Sequence, residues 1–358
     1  MKKDNPLFLI DLLKVSAALA IILHHLSSYG QIALDVRYAF PTIMNAIFEY
    51  GRYAVQIFLV IAGFLATQSL TRFASSSLTP KNALRIIINR YLRLFAPYTV
   101  ALILTMACAW VARFWVNDEF VGEQETLGQF LAHLFFLQGI LGLHSISAGV
   151  WYVAIDWQLY SVLAILLMSF SSYQALVWLM SIVAIGSLLY FNRLSQYEAY
   201  FIYFLGSYSL GMLAYLAKHY PEQGLRALAR MLLYAIGIVL AIASWKELWE
   251  RNLLAWSVAF LLLIWGNAGY PTISQKKFNM KRWVLRAIAW LSPRSYCAFL
   301  IHFAWILIAN TIYIATGLYL HDSATIAMGL MVFVVLASIW AANYLYRWVE
   351  LPSTRLKI

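Results

Sequence analysis

The sequence predicts an all-α membrane protein, a polytopic bundle of about ten transmembrane helices with both termini in the cytoplasm. Three observations carry that reading. The 358 residues are 63% hydrophobic and only 11% charged, with a mean hydropathy of +0.73, far from the balance of a water-soluble domain. Apolar stretches of roughly 20 residues, the length a bilayer-spanning helix needs, recur along nearly the whole chain. The short connections between them alternate between basic and acidic, as orientation in a membrane requires.

Taken in order, the apolar segments lie at about 7–28, 46–70, 92–115, 149–170, 173–192, 199–217, 229–246, 252–269, 295–318 and 324–348. Met1-Lys2-Lys3 before an apolar run resembles the start of a signal peptide. Asp11 and Lys14 interrupt that run, and the small residues Ser16 to Ala20 sit inside it, so it reads as a retained first helix, with cleavage as the alternative. The stretch 128–143 is too short to span and reads as interfacial or re-entrant. No stretch is long and polar enough for a separate soluble domain, so residues 1–358 read as one transmembrane domain.

Loop charges orient the bundle. Arg72, Lys81, Arg85, Arg90 and Arg93 follow the second span, and Lys276, Lys277, Lys281, Arg282, Arg286 and Arg294 follow the eighth. Lys218 and Arg226 follow the sixth, and Arg355 and Lys357 lie in the C-terminal tail. The loop after the third span carries Asp118, Glu119, Glu123 and Glu125 with no basic residue between them. An even number of spans with basic loops inside puts both termini in the cytoplasm. This distribution also explains the net charge of +11 without a nucleic-acid partner. The basic stretch 81–93 reads as an amphipathic helix at the cytoplasmic surface. It can hold anionic lipid headgroups or an anionic cytoplasmic ligand. The two cysteines, Cys108 and Cys297, are far apart in the chain and suggest neither a disulfide framework nor a zinc site. No metal is expected.

Ionisable residues inside a membrane cost about 3 kcal/mol or more each and are functional candidates by default. Here they are Asp11, Lys14, His24, His25, Arg52, Asp156 and His302. Lys14 and His25 are eleven positions apart, which leaves them about 20° apart around a helix and roughly 16 Å apart along it. Either alone reads as a snorkelling lysine or a satisfied interior histidine. Together, on one face of an otherwise apolar helix, they point to a lined cavity. His24 points about 100° away from its neighbour, and spacing does not choose between the two histidines. Asp156 lies one to two turns into the fourth span from the non-cytoplasmic side, at a depth similar to His25. A His–carboxylate pair holding a general base in one tautomer is the expected arrangement, with a packing hydrogen bond between helices as the alternative.

The residues also resemble a family. Lys14 through His25 looks like the Arg/Lys-x10-His motif of the integral membrane acyltransferases of the acyltransferase-3 family. Gly51 followed by Val55 to Leu65, ending Gly63-Phe64-Leu65, is similar to its second-helix signature. Arg90-Tyr91-Leu92-Arg93-Leu94-Phe95-Ala96-Pro97 resembles its Arg-x-x-Arg-x-x-x-Pro run, and Trp151 to Tyr160 its Trp-Ser-Leu-x-x-Glu-x-x-Phe-Tyr segment. Ser295 to His302 resembles Ser-Tyr-x-x-Tyr-Leu-x-His, and Glu350-Leu351-Pro352 the closing Glu-x-Pro. Asp156 stands where Glu is usual, Gln56 where Asp is common and Tyr152 where Ser is common. The chain ends at Ile358, and the extracellular hydrolase-like domain of some relatives is not expected.

The resemblance implies O-acyl transfer, most often of acetyl, from cytoplasmic acetyl-CoA or another acyl-CoA to a hydroxyl of a lipid-linked or cell-surface glycan. It places the enzyme in the bacterial inner membrane. On this reading His25 is the general base or a transient acyl carrier, and Asp156 orients it. Lys14, Arg90 and Arg93 hold coenzyme A phosphates. His24, Arg52, Trp151, Tyr160, His302 and Glu350 are possible supporting residues. A transporter or flippase of a glycan or lipid precursor is the rival, since buried charges lining a cavity suit it too. The matching broken helices that such proteins carry in two halves are not evident.

Overall fold

The computed structural model describes residues 7–74, 80–247, 249–270, 282–321 and 324–356. Among the described residues the secondary structure is helical. The elements used below are α1 (Phe8–Leu26), α2 (Gly30–Ala39), α3 (Pro41–Gly51), α4 (Ala54–Ala74), α5 (Pro80–Ala112), α6 (Leu127–Leu134), α7 (Trp151–Ser169), α8 (Tyr173–Leu189), α9 (Phe201–His219), α10 (Gln223–Lys246), α11 (Glu250–Trp265), α12 (Arg282–Leu291), α13 (Ser295–Ala315) and α14 (Ala324–Leu345). Lys276, Lys277, Lys281 and Lys357 lie outside the described residues.

Eight helical spans among the described residues are long and apolar enough to cross a membrane. They begin at Phe8, Pro41, Asn82, Trp151, Tyr173, Gln223, Arg282 and Ala324. The remaining two of the ten apolar segments, α9 and α11, are also helical. The tyrosines, serines and glycines of α9, with Lys218 and His219 at its end, lower its mean hydropathy. Tyr203 to Ala214 are buried without a break, so this helix presents little surface that lipid could touch. The other, α11, has only 16 residues.

Two boundaries differ from those expected. The second apolar segment is broken at Arg52 and Tyr53, so that α3 and α4 meet at a turn. The basic stretch 81–93 is not a separate surface helix but the first turns of the 33-residue α5. Proline at position 97 has no N–H to give the carbonyl of Arg93 and crowds that turn. In lipid a freed carbonyl must find another donor. Here Ser353 Oγ, which donates to Glu350 O at 2.7 Å, approaches Arg93 O to 3.4 Å, and Tyr296 Oη donates to the neighbouring Leu94 O at 3.2 Å. These contacts join α5 to α13 and to the C-terminal segment around the proline.

Helix α9 packs closely on α4 through two glycines. A Cβ at Gly63 would collide with the Tyr208 carbonyl, and one at Gly211 with the Val60 carbonyl. Small residues let membrane helices approach this closely where no hydrophobic drive from water is available. Between the two helices Ser207 Oγ donates to Gln56 Oε1 at 2.5 Å, so the buried amide oxygen is satisfied by a neutral partner. The close α4–α9 contact fixes α4, one face of which lines the site.

Candidate active site

Two cavities enter the bundle from opposite ends. The larger, about 1780 Å³, lies under the acidic loop and is lined by Asp118, Glu119, Glu123 and Glu125 at its mouth. Deeper in it are His24, His25, Arg52 and Trp151. The second, about 1050 Å³, opens among Lys14, Arg85, Arg90 and Arg93 and also contains Asp11, Asp156, Tyr160 and Glu350. Tyr152 and Phe299 line both. Their rings are 5.8 Å apart, and Phe58 stands 5.9 Å from the first and 6.4 Å from the second. Three aromatic rings thus separate an acidic cavity from a basic one.

His25 sits at this boundary. Its Nδ1 is 2.6 Å from His302 Nε2, with the two ring planes nearly parallel at 9°. His302 Nδ1 is in turn 2.6 Å from the carbonyl of Phe299, which can only accept. That carbonyl assigns the tautomers along the chain. His302 carries its proton on Nδ1 and offers a lone pair at Nε2, so His25 donates from Nδ1. His25 Nε2 is left with a free lone pair, on a residue lining the acidic cavity. A base with its second nitrogen fixed in this way is oriented for proton abstraction.

The expected partner of His25 is corrected here. Asp156 belongs to the basic cavity, where Arg90 Nη2 donates to its Oδ2 at 2.6 Å. Arg90 also lies over the Tyr160 ring, 5.2 Å from its centroid. A carboxylate within one helical layer of a guanidinium is paired by it in preference to a neutral imidazole, since a buried ion left alone is far costlier than a buried imidazole. His302 takes the place beside His25. The sequence carried it only as a supporting residue, because depth along a helix does not reveal which of two faces turns inward.

The remaining candidates divide between the two cavities, and Lys14 and His25, expected to line one cavity together, line different ones. Lys14, Arg90 and Arg93 line the same cavity, and the Lys14 and Arg93 side chains have no hydrogen-bond partner among the described residues. Asp11 at the same end accepts from Tyr270 Oη at 2.8 Å and Ser292 Oγ at 2.6 Å. Glu350 is buried in a short π-helical segment, Tyr346–Glu350, and accepts from the Cys297 thiol at 3.0 Å. Trp151 stacks on Phe204 with ring centroids 5.4 Å apart, beside the acidic cavity. Arg52 is exposed at the α3–α4 turn in the same cavity. His24 turns its ring towards Phe48, with centroids 5.6 Å apart, on a different side from the His302 contact. Geometry thus favours His25 over His24 as the residue at the boundary.

Sequence reasoning also missed the role of Gly149. At φ +84° it adopts a conformation suited to glycine. A Cβ there would stand 2.9 Å from the Phe299 ring and 3.3 Å from His25 Cε1. The glycine lets the loop ahead of α7 close directly over the histidine and the shared aromatic ring. A glycine just ahead of a helix was visible in the sequence, but its neighbours were not. No group of three or more potential metal ligands occurs among the described residues.

The fold and the site define a multi-pass helical membrane protein in which a hydrogen-bonded histidine pair lies between two opposed cavities. A family model described as an acyltransferase domain matches residues 8–344, nearly the whole chain. The chain belongs to the acyltransferase-3 family. Neither a curated protein nor a solved structure matches it. It is a membrane acyltransferase by family and architecture.

Proposed function

We propose that the protein is an O-acyltransferase that uses a cytoplasmic acyl-CoA, typically acetyl-CoA, to acylate a hydroxyl of a glycan or glycolipid on the far side of the bacterial inner membrane. The observation that carries this reading is the placement of a base-competent His25 in the acidic cavity, beside the Phe299 ring that this cavity shares with the cation-lined one. Loop charge supports ten spans with both termini cytoplasmic, an orientation in which the basic cavity faces inward. Lys14, Arg90 and Arg93 suit the phosphates of coenzyme A. The acidic cavity, with Trp151, Tyr203 and Trp249 on its walls, suits a polar, ring-stacking acceptor such as a sugar.

In this mechanism the acceptor hydroxyl hydrogen-bonds to His25 Nε2. Its oxygen attacks the thioester carbonyl as the proton passes to His25. The tetrahedral adduct collapses with cleavage of the C–S bond, and His25 returns the proton to the departing thiolate. Oxygen gains the acyl group and sulfur gains the proton, so no oxidant or metal is consumed. His302 holds the His25 tautomer throughout, and the Phe299 carbonyl offsets the positive charge that develops on the pair. Direct transfer needs no covalent acyl-histidine. An acyl carrier role for His25 would use the same lone pair.

Family membership favours transfer over the transporter or flippase reading. The test is incubation of the purified protein with radiolabelled acetyl-CoA and a membrane glycan fraction. Label should move covalently to glycan in the wild type and be lost in His25→Ala, by about 10³-fold if the residue is the general base. Lys14→Ala should raise the donor KM and leave kcat nearly unchanged. Uptake of label without covalent transfer, or normal acylation by His25→Ala, would overturn the proposal.

A further inference from the structure

We propose that Phe58, Tyr152 and Phe299 form an acyl-size stop, so that the enzyme accepts short acyl groups and Phe58 sets their upper length. This rests on the acyl-transfer reading above.

Tyr152 and Phe299 are the two side chains common to both cavities, so a donor entering through the basic cavity meets the acceptor side at these rings. One face of α4 leads there. Phe58, Ile61, Ala62, Leu65, Ala66 and Ser69 line the basic cavity at helical spacing. From Ser69 to Phe58 this stripe rises about 16 Å at 1.5 Å per residue. It is an apolar wall with two alanines, and it suits a long flexible arm better than a charged group. It begins near the cations and ends on a phenyl ring.

The reacting carbonyl has little freedom. It must lie within reach of a hydroxyl held by His25 Nε2. His25 Cε1 and the Phe299 ring edge both approach the same point over Gly149, at 3.3 and 2.9 Å from a Cβ placed there. The carbonyl therefore stands beside Phe299, and the rest of the acyl group points into the space bounded by Tyr152 and Phe58. Rings 5.8 to 6.4 Å apart between centroids leave almost no gap beyond their own thickness. An acetyl methyl needs the least displacement there. Each further methylene must push rings that pack against one another, which costs binding at the point where the transition state forms. Phe58 is the ring to vary because it lines the donor cavity alone, so shortening it enlarges the acyl end without changing the acceptor wall.

The experiment compares acetyl-, propionyl- and butyryl-CoA as donors for the purified wild type and for Phe58→Ala, reading covalent transfer to the glycan fraction as kcat/KM. The wild type should favour acetyl over butyryl by more than tenfold. Phe58→Ala should raise the butyryl-to-acetyl ratio at least tenfold, with acetyl transfer kept within a few fold, in line with the usual worth of one or two methylenes in an apolar pocket. Phe58→Leu, which keeps an apolar side chain against Tyr152, carries the comparison if the alanine variant does not fold and should raise the ratio about threefold. A wild type that moves butyryl as well as acetyl overturns the size stop. So does an unchanged ratio in a folded variant that still transfers acetyl. Absence of transfer from every donor in the wild type would instead overturn the acyl-transfer reading itself.

Discussion

At the scale of single residues, the histidine pair is built so that one ring nitrogen stays free. His302 spends Nδ1 on a backbone carbonyl and Nε2 on His25, which leaves His25 Nε2 for the base role proposed above. Removing His302 should therefore damage orientation and leave donor binding intact. His302→Leu should lower kcat by about 10²-fold with the donor KM unchanged. His302→Gln, whose amide oxygen can accept from His25 Nδ1, should recover part of that loss and restore the shape of the pH–rate profile. Equal damage from leucine and glutamine would assign His302 to packing alone. The Arg90–Asp156 pair makes a different prediction, because its carboxylate side chain is only 5% exposed and the guanidinium 26%. Arg90→Met leaves the carboxylate uncompensated and should cost about 3 kcal/mol or more in unfolding free energy. Arg90→Met with Asp156→Leu should regain most of the stability, measured as Tm in detergent, without regaining donor affinity. A double variant no more stable than the single one would show that the pair is not coupled.

At the scale of elements, the short helix α6 holds the loop that covers the site. Thr126 caps it by accepting from the Gln129 N–H at 3.1 Å. His133 then donates from Nδ1 to the Gln129 carbonyl at 2.8 Å and accepts the Ile146 N–H at Nε2, 3.1 Å away. Ile146 to Gly149 line the acidic cavity, so this clasp positions the segment that ends over His25. Burial pushes the His133 imidazole below its ordinary value of 6.5. Only the neutral ring can accept at Nε2, so the clasp is fully present above the unfolded value. It is lost as pH falls through the lower folded value. Hydrogen exchange at the Ile146 amide, corrected for its intrinsic pH dependence, should therefore be slow at neutral pH and faster in acid, whereas His133→Phe should exchange fast at both. Protection that is the same at both pH values in the wild type would remove His133 as the titrating group. This clasp was not legible in the sequence. The stretch 128–143 reads there only as a piece too short to span, because a histidine that bridges two turns of a loop leaves no periodic trace.

At the scale of the whole molecule, the apolar periodicity was legible because lipid imposes it, residue after residue, on every helix that faces it. The ten apolar segments are all helical, α9 included although its middle turns are buried within the protein. The pairing of side chains between helices has no such local signature. Lys14, Arg90 and Arg93 could be grouped because charge and spacing put them at one end, whereas Asp156 was read as the partner of His25 and His302 only as a supporting residue. Depth and sidedness are separate coordinates, and sequence supplies only the first. The same limit leaves orientation in the membrane to loop charge, and that argument can be tested directly. The acidic loop at Glu123 is exposed at the mouth of the larger cavity, and Arg286 is exposed on α12. If the basic end faces the cytoplasm, Glu123→Cys should react with a membrane-impermeant thiol reagent in intact cells, in a background with Cys108 and Cys297 changed to alanine. Arg286→Cys should react only after the membrane that holds the protein is permeabilised. The opposite pattern would turn the molecule over and put the cation-lined cavity outside. A cytoplasmic thioester could not then reach it, and donor and acceptor would have to exchange cavities.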